Sequence, residues 1–170
     1  MVIRNELDDR IAMVTACTVL GRPSRTGQRD DVLTTPEWNH VARWLVRTER
    51  RPAELLFPSI IELITGSELD PRIVDRVISI PDRASAANDE MTRMDEGGIW
   101  TICRADDAFP KKWKKRLGST APPVIFGAGP KELLDMRSVA IVGSRSIAEP
   151  LGEIARELGA RIIQSGMTVV

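Results

Sequence analysis

Ser138-Val139-Ala140-Ile141-Val142-Gly143-Ser144-Arg145-Ser146 is the stretch that decides the fold of this 170-residue chain. Its first five residues make a continuous apolar run, the pattern of a strand buried on both faces of a parallel sheet. The run enters a glycine, two small polar residues and an arginine. A helix is expected next from about Pro150 to Gln164, then a turn at Ser165-Gly166 and a last strand over Met167-Thr168-Val169-Val170. The pattern predicts a β-loop-α-β unit, and the chain ends as its second strand ends.

Upstream the period is different. Thr34-Thr35-Pro36-Glu37 offers an N-cap, a proline for the first turn and a glutamate placed for a capping box. Trp38, Val41, Ala42 and Leu45 then fall at helical spacing on one stripe, while Arg43, Arg47 and Glu49 face elsewhere. Pro52 opens a second short helix through Leu56, and Ser59 starts a third that Gly66 closes. Pro71 begins a fourth with Ile73, Val74, Val77 and Ile78; Pro81 separates it from a fifth that runs to Gly97-Gly98. Residues 1 to about 33 carry little signal, with a loop expected through Gly21, Pro23, Ser24 and Gly27. After Gly98, Ile99-Trp100-Thr101-Ile102-Cys103 reads as a strand and Val124-Ile125-Phe126 as another. A basic segment lies between them, and a brief helix around Lys131 to Leu134 follows. The expected architecture is α/β: a helical domain over residues 1–98, then a parallel-sheet domain over residues 99–170.

Composition narrows the function classes. Two cysteines, Cys17 and Cys103, cannot build a disulfide framework or a four-ligand zinc site, which fits a reducing cytosol. The apolar stretch Ile11 to Leu20 follows several charges and is neither a signal peptide nor a membrane span. The formal net charge is zero, from 24 Lys+Arg and 24 Asp+Glu. Cut at Gly98, the chain has 13 basic and 17 acidic residues before the cut and 11 and 7 after it. All the lysines lie in the second part, four of them in Lys111-Lys112-Trp113-Lys114-Lys115-Arg116.

Two segments carry chemistry. Gly143-Ser144-Arg145 at a helix start would present free N–H groups and a guanidinium to a phosphate; a plain strand-to-helix turn with a solvent-facing arginine is the other reading. A dinucleotide site fits less well, because Arg145 and Ala148 stand where that fingerprint needs glycines. The basic cluster suits a nucleic-acid backbone with a base or sugar near Trp113. Alternatively Trp113 and Leu117 bury one helical face and the lysines are simply solvated. Trp38, Trp44 and Trp100 are expected in the core, and His40, without a partner carboxylate, cysteine or histidine nearby, has a structural or surface role. No nucleophile with its base, no carboxylate pair and no metal cluster is visible.

Thr34-Pro36-Glu37-Trp38-Asn39, Gly98-Ile99-Trp100, Phe109-Pro110, Pro122-Pro123-Val124-Ile125-Phe126-Gly127-Ala128-Gly129 and Val139-Ala140-Ile141-Val142-Gly143-Ser144-Arg145 are similar, in order and spacing, to the DNA-processing proteins of the DprA or Smf family. The resemblance implies a SAM-like helical domain followed by a Rossmann-like domain that binds single-stranded DNA, forms homodimers and hands the strand to a RecA-type recombinase. With the residue reading above, the expectation is no catalysis, no cofactor, no metal and no membrane, a cytoplasmic location, and transformation, general recombination or defence as the candidate pathways. The site residues so implied are Gly143, Ser144 and Arg145; the basic cluster adds Lys111, Lys112, Lys114 and Lys115 as further candidate phosphate contacts. Two departures accompany it: Glu149 stands four residues after Arg145, and the family's next motif, Ser-Gly-x-Ala-x-Gly, lies past Val170, so the expectation is a Rossmann-like domain that is only partly present. The alternatives are a nucleotide-binding or nucleotide-hydrolysing relative, or an interaction module joined to an incomplete α/β domain.

Overall fold

The computed structural model describes residues 6–21, 32–144 and 146–170. Pro23, Ser24 and Gly27 of the expected loop, and Arg145, lie outside them. Two compact units divide at Gly129/Pro130.

The first unit is built around a helix that the sequence pattern did not disclose. α1 (Glu6–Cys17) buries Asp9 and the unbroken run Ala12 to Ala16. Burial of consecutive residues leaves that run no amphipathic stripe to read. Against α1 pack the 3-10 turn Pro52–Leu56 and α5 (Ile80–Glu96). α2 (Thr35–Arg47) turns Trp38, Val41, Trp44 and Leu45 inward, each large apolar side chain contributing about 1.5–3 kcal/mol by leaving water. Its capping box joins Thr34 to Glu37: the Thr34 N–H donates to Glu37 Oε2 at 2.8 Å, and the Thr34 hydroxyl donates to the same oxygen at 2.7 Å. α3 (Ile60–Thr65) adds Ile60 and Ile64. α4 (Pro71–Ile78) is capped by Asp70, which accepts from the Arg72 N–H at 2.8 Å, and buries Ile73, Val74 and Val77.

β1 (Ile99–Cys103) and β2 (Val124–Ala128) pair antiparallel, from Ile99 opposite Ala128 to Cys103 opposite Val124. Cys103 is fully buried in the same core as α1, and Val124 packs on it. Buried Asp106 accepts from the Cys103 N–H at 2.9 Å and from Arg10 of α1 at 3.0 Å. The change of period at Gly98 is therefore not where the compact units part, because this strand pair is tied to the helices by its buried end. Trp100 is half-buried rather than a core residue, its ring lying over Gly127 and its Nε1–H donating to the Gly129 carbonyl at 2.8 Å.

The second unit contains a 3-10 turn Lys131–Asp135, β3 (Ser138–Val139), α7 (Glu149–Gln164) and β4 (Thr168–Val169). β3 and β4 are parallel, Ser138 opposite Thr168, and the ladder continues through the Ile141 N–H to the Val170 carbonyl at 2.9 Å. This is the expected β-loop-α-β order. The expectation of a strand buried on both faces fails: β3 has only two residues, and Val142 is 92% exposed. Two short strands and one helix cannot enclose a five-residue apolar run, and Ile162 is the buried residue of α7.

Candidate nucleic-acid interface

The loop that leads from β3 to α7 differs from its sequence reading in one respect. Gly143 and Ser144 are exposed, as a ligand contact requires, yet they do not sit at the helix start. α7 begins at Glu149 with Ala148 as its N-cap and Pro150 in its first turn. Ser144 Oγ accepts from the Ser146 N–H at 3.2 Å. Gly143 adopts no left-handed backbone, and a side chain there would meet open space. The first helical turn carries a carboxylate, and Glu149 Oε1 accepts from Arg156 at 2.6 Å, both side chains largely in water.

The basic segment forms α6 (Lys111–Leu117), and Lys111, Lys112, Lys114 and Lys115 are all exposed. Phe109 is buried just before it and makes a T-shaped contact with the half-buried Trp113 ring, centroids 6.5 Å apart and planes at 88°. Lys114 Nζ stands 5.5 Å from the centre of the Phe109 ring, a cation–π contact. Leu117 is 44% exposed, so Trp113 and Leu117 do not bury a common face. One aromatic anchor holds the helix, with Lys114, Lys115 and Arg116 near its C-terminal end, where the helix dipole favours them.

α6 runs into a 3-10 turn, Gly118–Thr120, that is clamped to α2. Asn39 Nδ2 donates to the Ser119 carbonyl at 2.7 Å and its Oδ1 accepts from Arg104, whose other terminal nitrogen donates to the Ala121 carbonyl at 2.9 Å. Burial holds the Arg104 pKa below the usual guanidinium value, with the nearby Cys17 acting in the opposite direction. Asn39 was legible only as part of a motif; nothing local in the sequence connects it to position 104.

Burial pushes the thiols of Cys17 and Cys103 well above the ordinary cysteine range, so both remain protonated and poor nucleophiles. Among the described residues no cluster of His, Cys, Asp or Glu is arranged to hold a metal ion, and no helix is long and apolar enough to cross a membrane. His40 is exposed.

Residues 100–170 match the model of the family DNA recombination-mediator protein A. No curated protein and no solved structure matches the chain. The match includes β1, the exposed cations of α6, the Pro122-Pro123 to Gly129 segment and the Gly143-Ser144-Arg145 loop. Residues 100–170 are thus similar to the DprA/Smf family of DNA-processing proteins.

Proposed function

We propose that the chain is a non-enzymatic, cytoplasmic DNA-processing protein that binds single-stranded DNA and assists a RecA-type recombinase, as in natural transformation or DNA uptake. In this reading residues 1–98 supply a SAM-like helical module and residues 99–170 part of a Rossmann-like module that forms homodimers when complete. Phosphates are held by Gly143, Ser144 and Arg145, and by Lys111, Lys112, Lys114 and Lys115. The observation that carries the proposal is the family match, which includes a helix whose lysines are all exposed around one aromatic anchor. Such a surface attracts a phosphodiester backbone and releases its counterions.

Fluorescence anisotropy with labelled oligo-dT over a range of salt tests it. Affinity should fall linearly on logarithmic axes, with a slope of about −0.7 for each phosphate neutralised. Arg145→Ala should lower affinity about fivefold at about 0.1 M salt, equally for all base sequences. Binding without salt dependence, or unaltered affinity in Arg145→Ala, refutes the phosphate role of the loop. Saturable binding of a mononucleotide with none of oligo-dT favours a nucleotide-binding relative instead.

A further inference from the structure

The outer face of α2 lines a cleft of about 1100 Å3 in the first unit, together with Glu68-Leu69 and Gly118-Ser119. The position follows from the helix period. With Trp38, Val41 and Leu45 turned into the core, His40, Arg43 and Arg47 form a second stripe at spacings of three and four residues. Arg43 and Arg47 stand one turn apart, about 6 Å along the axis.

These cations are largely uncommitted. Arg43 Nε donates to the Asn39 carbonyl at 3.1 Å, which steadies its stem, and among the described residues its terminal nitrogens have no partner. Arg47 faces Glu68 at 3.7 Å with side chains 63% and 89% exposed, a pair that contributes little. Arg104 also lines the cleft, so three guanidinium groups oppose one carboxylate. Val46, 76% exposed, and Leu69 supply apolar surface beside them. Guanidinium next to exposed hydrocarbon suits a nucleotide strand, phosphate on the one and base or sugar on the other. At about 1100 Å3 the cleft has room for more than one nucleotide. The Gly118–Thr120 turn packs on both α2 and α6, so the cleft continues the basic helix within one unit.

We infer that this cleft is a second subsite for single-stranded nucleic acid, in which Arg43 and Arg47 hold phosphates of a strand that also engages α6. The inference rests on the DNA-binding reading of the chain. The test compares the unaltered chain with the Arg43→Gln/Arg47→Gln variant, using short and long oligo-dT over a range of salt. Both side chains are outside the core, and an unchanged thermal midpoint verifies folding of the variant. Loss of two phosphate contacts should reduce the salt slope by about 1.4 and the affinity for long oligo-dT about 25-fold at about 0.1 M salt. Short oligo-dT, satisfied by one subsite, should lose less. If the unaltered chain binds and the double variant binds equally well with the same slope, the cleft inference is overturned and the DNA-binding reading stands. If the unaltered chain does not bind oligo-dT, both fall. Binding of a mononucleotide abolished by the double variant, with strand affinity unaffected, overturns the strand as occupant.

Discussion

Replacing Gly127 by alanine tests the account of the β1–β2 pair most directly. Gly127 stands opposite Trp100, and its backbone does not require glycine. What requires it is space: a Cβ there would lie 2.2 Å from Trp100 Cη2 and 2.3 Å from Cζ2. Ordinary carbon–carbon contact is about 3.5–4.0 Å, so the ring edge would retreat by about 1.3 Å or more. That movement breaks the 2.8 Å hydrogen bond from Trp100 Nε1 to the Gly129 carbonyl. Overpacking costs about 1–3 kcal/mol and the lost hydrogen bond about 1 kcal/mol, giving about 2–4 kcal/mol for Gly127→Ala. Urea denaturation, repeated in a Trp100→Ala background, separates the causes. With the ring absent, Gly127→Ala should be neutral or stabilising by about 0.5 kcal/mol, because alanine has less freedom to lose on folding. A cost below about 0.5 kcal/mol in the unaltered chain, or an equal cost in both backgrounds, refutes the steric account.

Asp9→Ala should cost about 3 kcal/mol in the same assay, since buried Asp9 pairs with Arg51 and accepts the Ala53 N–H at 2.9 Å, capping the 52–56 turn from another helix. Asp9→Asn retains an acceptor and should cost less; equal costs would assign the whole effect to the charge. Burial alone would raise the Glu37 pKa, but hydrogen bonds from Thr34 and the Arg76 guanidinium at 2.8 Å outweigh it and hold the carboxyl below 4.5. A depressed folded pKa means stability that is present above the unfolded value and lost as pH falls through the folded one. The advantage of the unaltered chain over Glu37→Gln, about 1 kcal/mol near neutrality, should therefore vanish in acid, and a pH-independent difference would contradict the linkage.

Legibility tracked the physics of each segment. α2 and α4 were readable because each buries one stripe and begins at a residue whose side chain can serve the first turn, Thr34 with Glu37 and Asp70. α1 was not, because burial of every residue from Ala12 to Ala16 presents its core as an unpatterned run in which Thr15 looks like an interruption. In fact the Thr15 hydroxyl donates to the Ile11 carbonyl at 2.7 Å and is satisfied within the helix. The two strands around α6 were found from β-branched and aromatic content, but their pairing and their attachment to the helices depend on Asp106 and Arg10, 96 positions apart. At the Gly143 loop the residue types were legible and the geometry was not. The helix itself, expected from about Pro150 to Gln164, is found at Glu149–Gln164, whereas the hydrogen bond from the Ser146 N–H to Ser144 Oγ is not written in the order of residue types.

The charge pattern illustrates why a neutral chain need not be indifferent to a polyanion. The cut at Gly98 separates an acidic part from a basic part, but division at Gly129 leaves 19 basic and 19 acidic residues in the first unit and 5 and 5 in the second. Neither unit attracts nucleic acid by its total. Exposed charges interact over about 8 Å at physiological salt, so what a strand meets is the local arrangement, and that is far from even. In the first unit Asp9, Glu37, Glu54 and Asp106 are each committed to an arginine: Arg51, Arg76, Arg50 and Arg10. Those carboxylates are spent holding α1, α2 and the strand pair together. These pairs remove both signs equally, so the charges that remain still balance in number. What sets α6 and the outer face of α2 apart is sequence spacing, which gathers Lys111, Lys112, Lys114, Lys115 and Arg116 on one short helix and Arg43 and Arg47 on one helical face. A unit of zero net charge thereby carries local cationic patches.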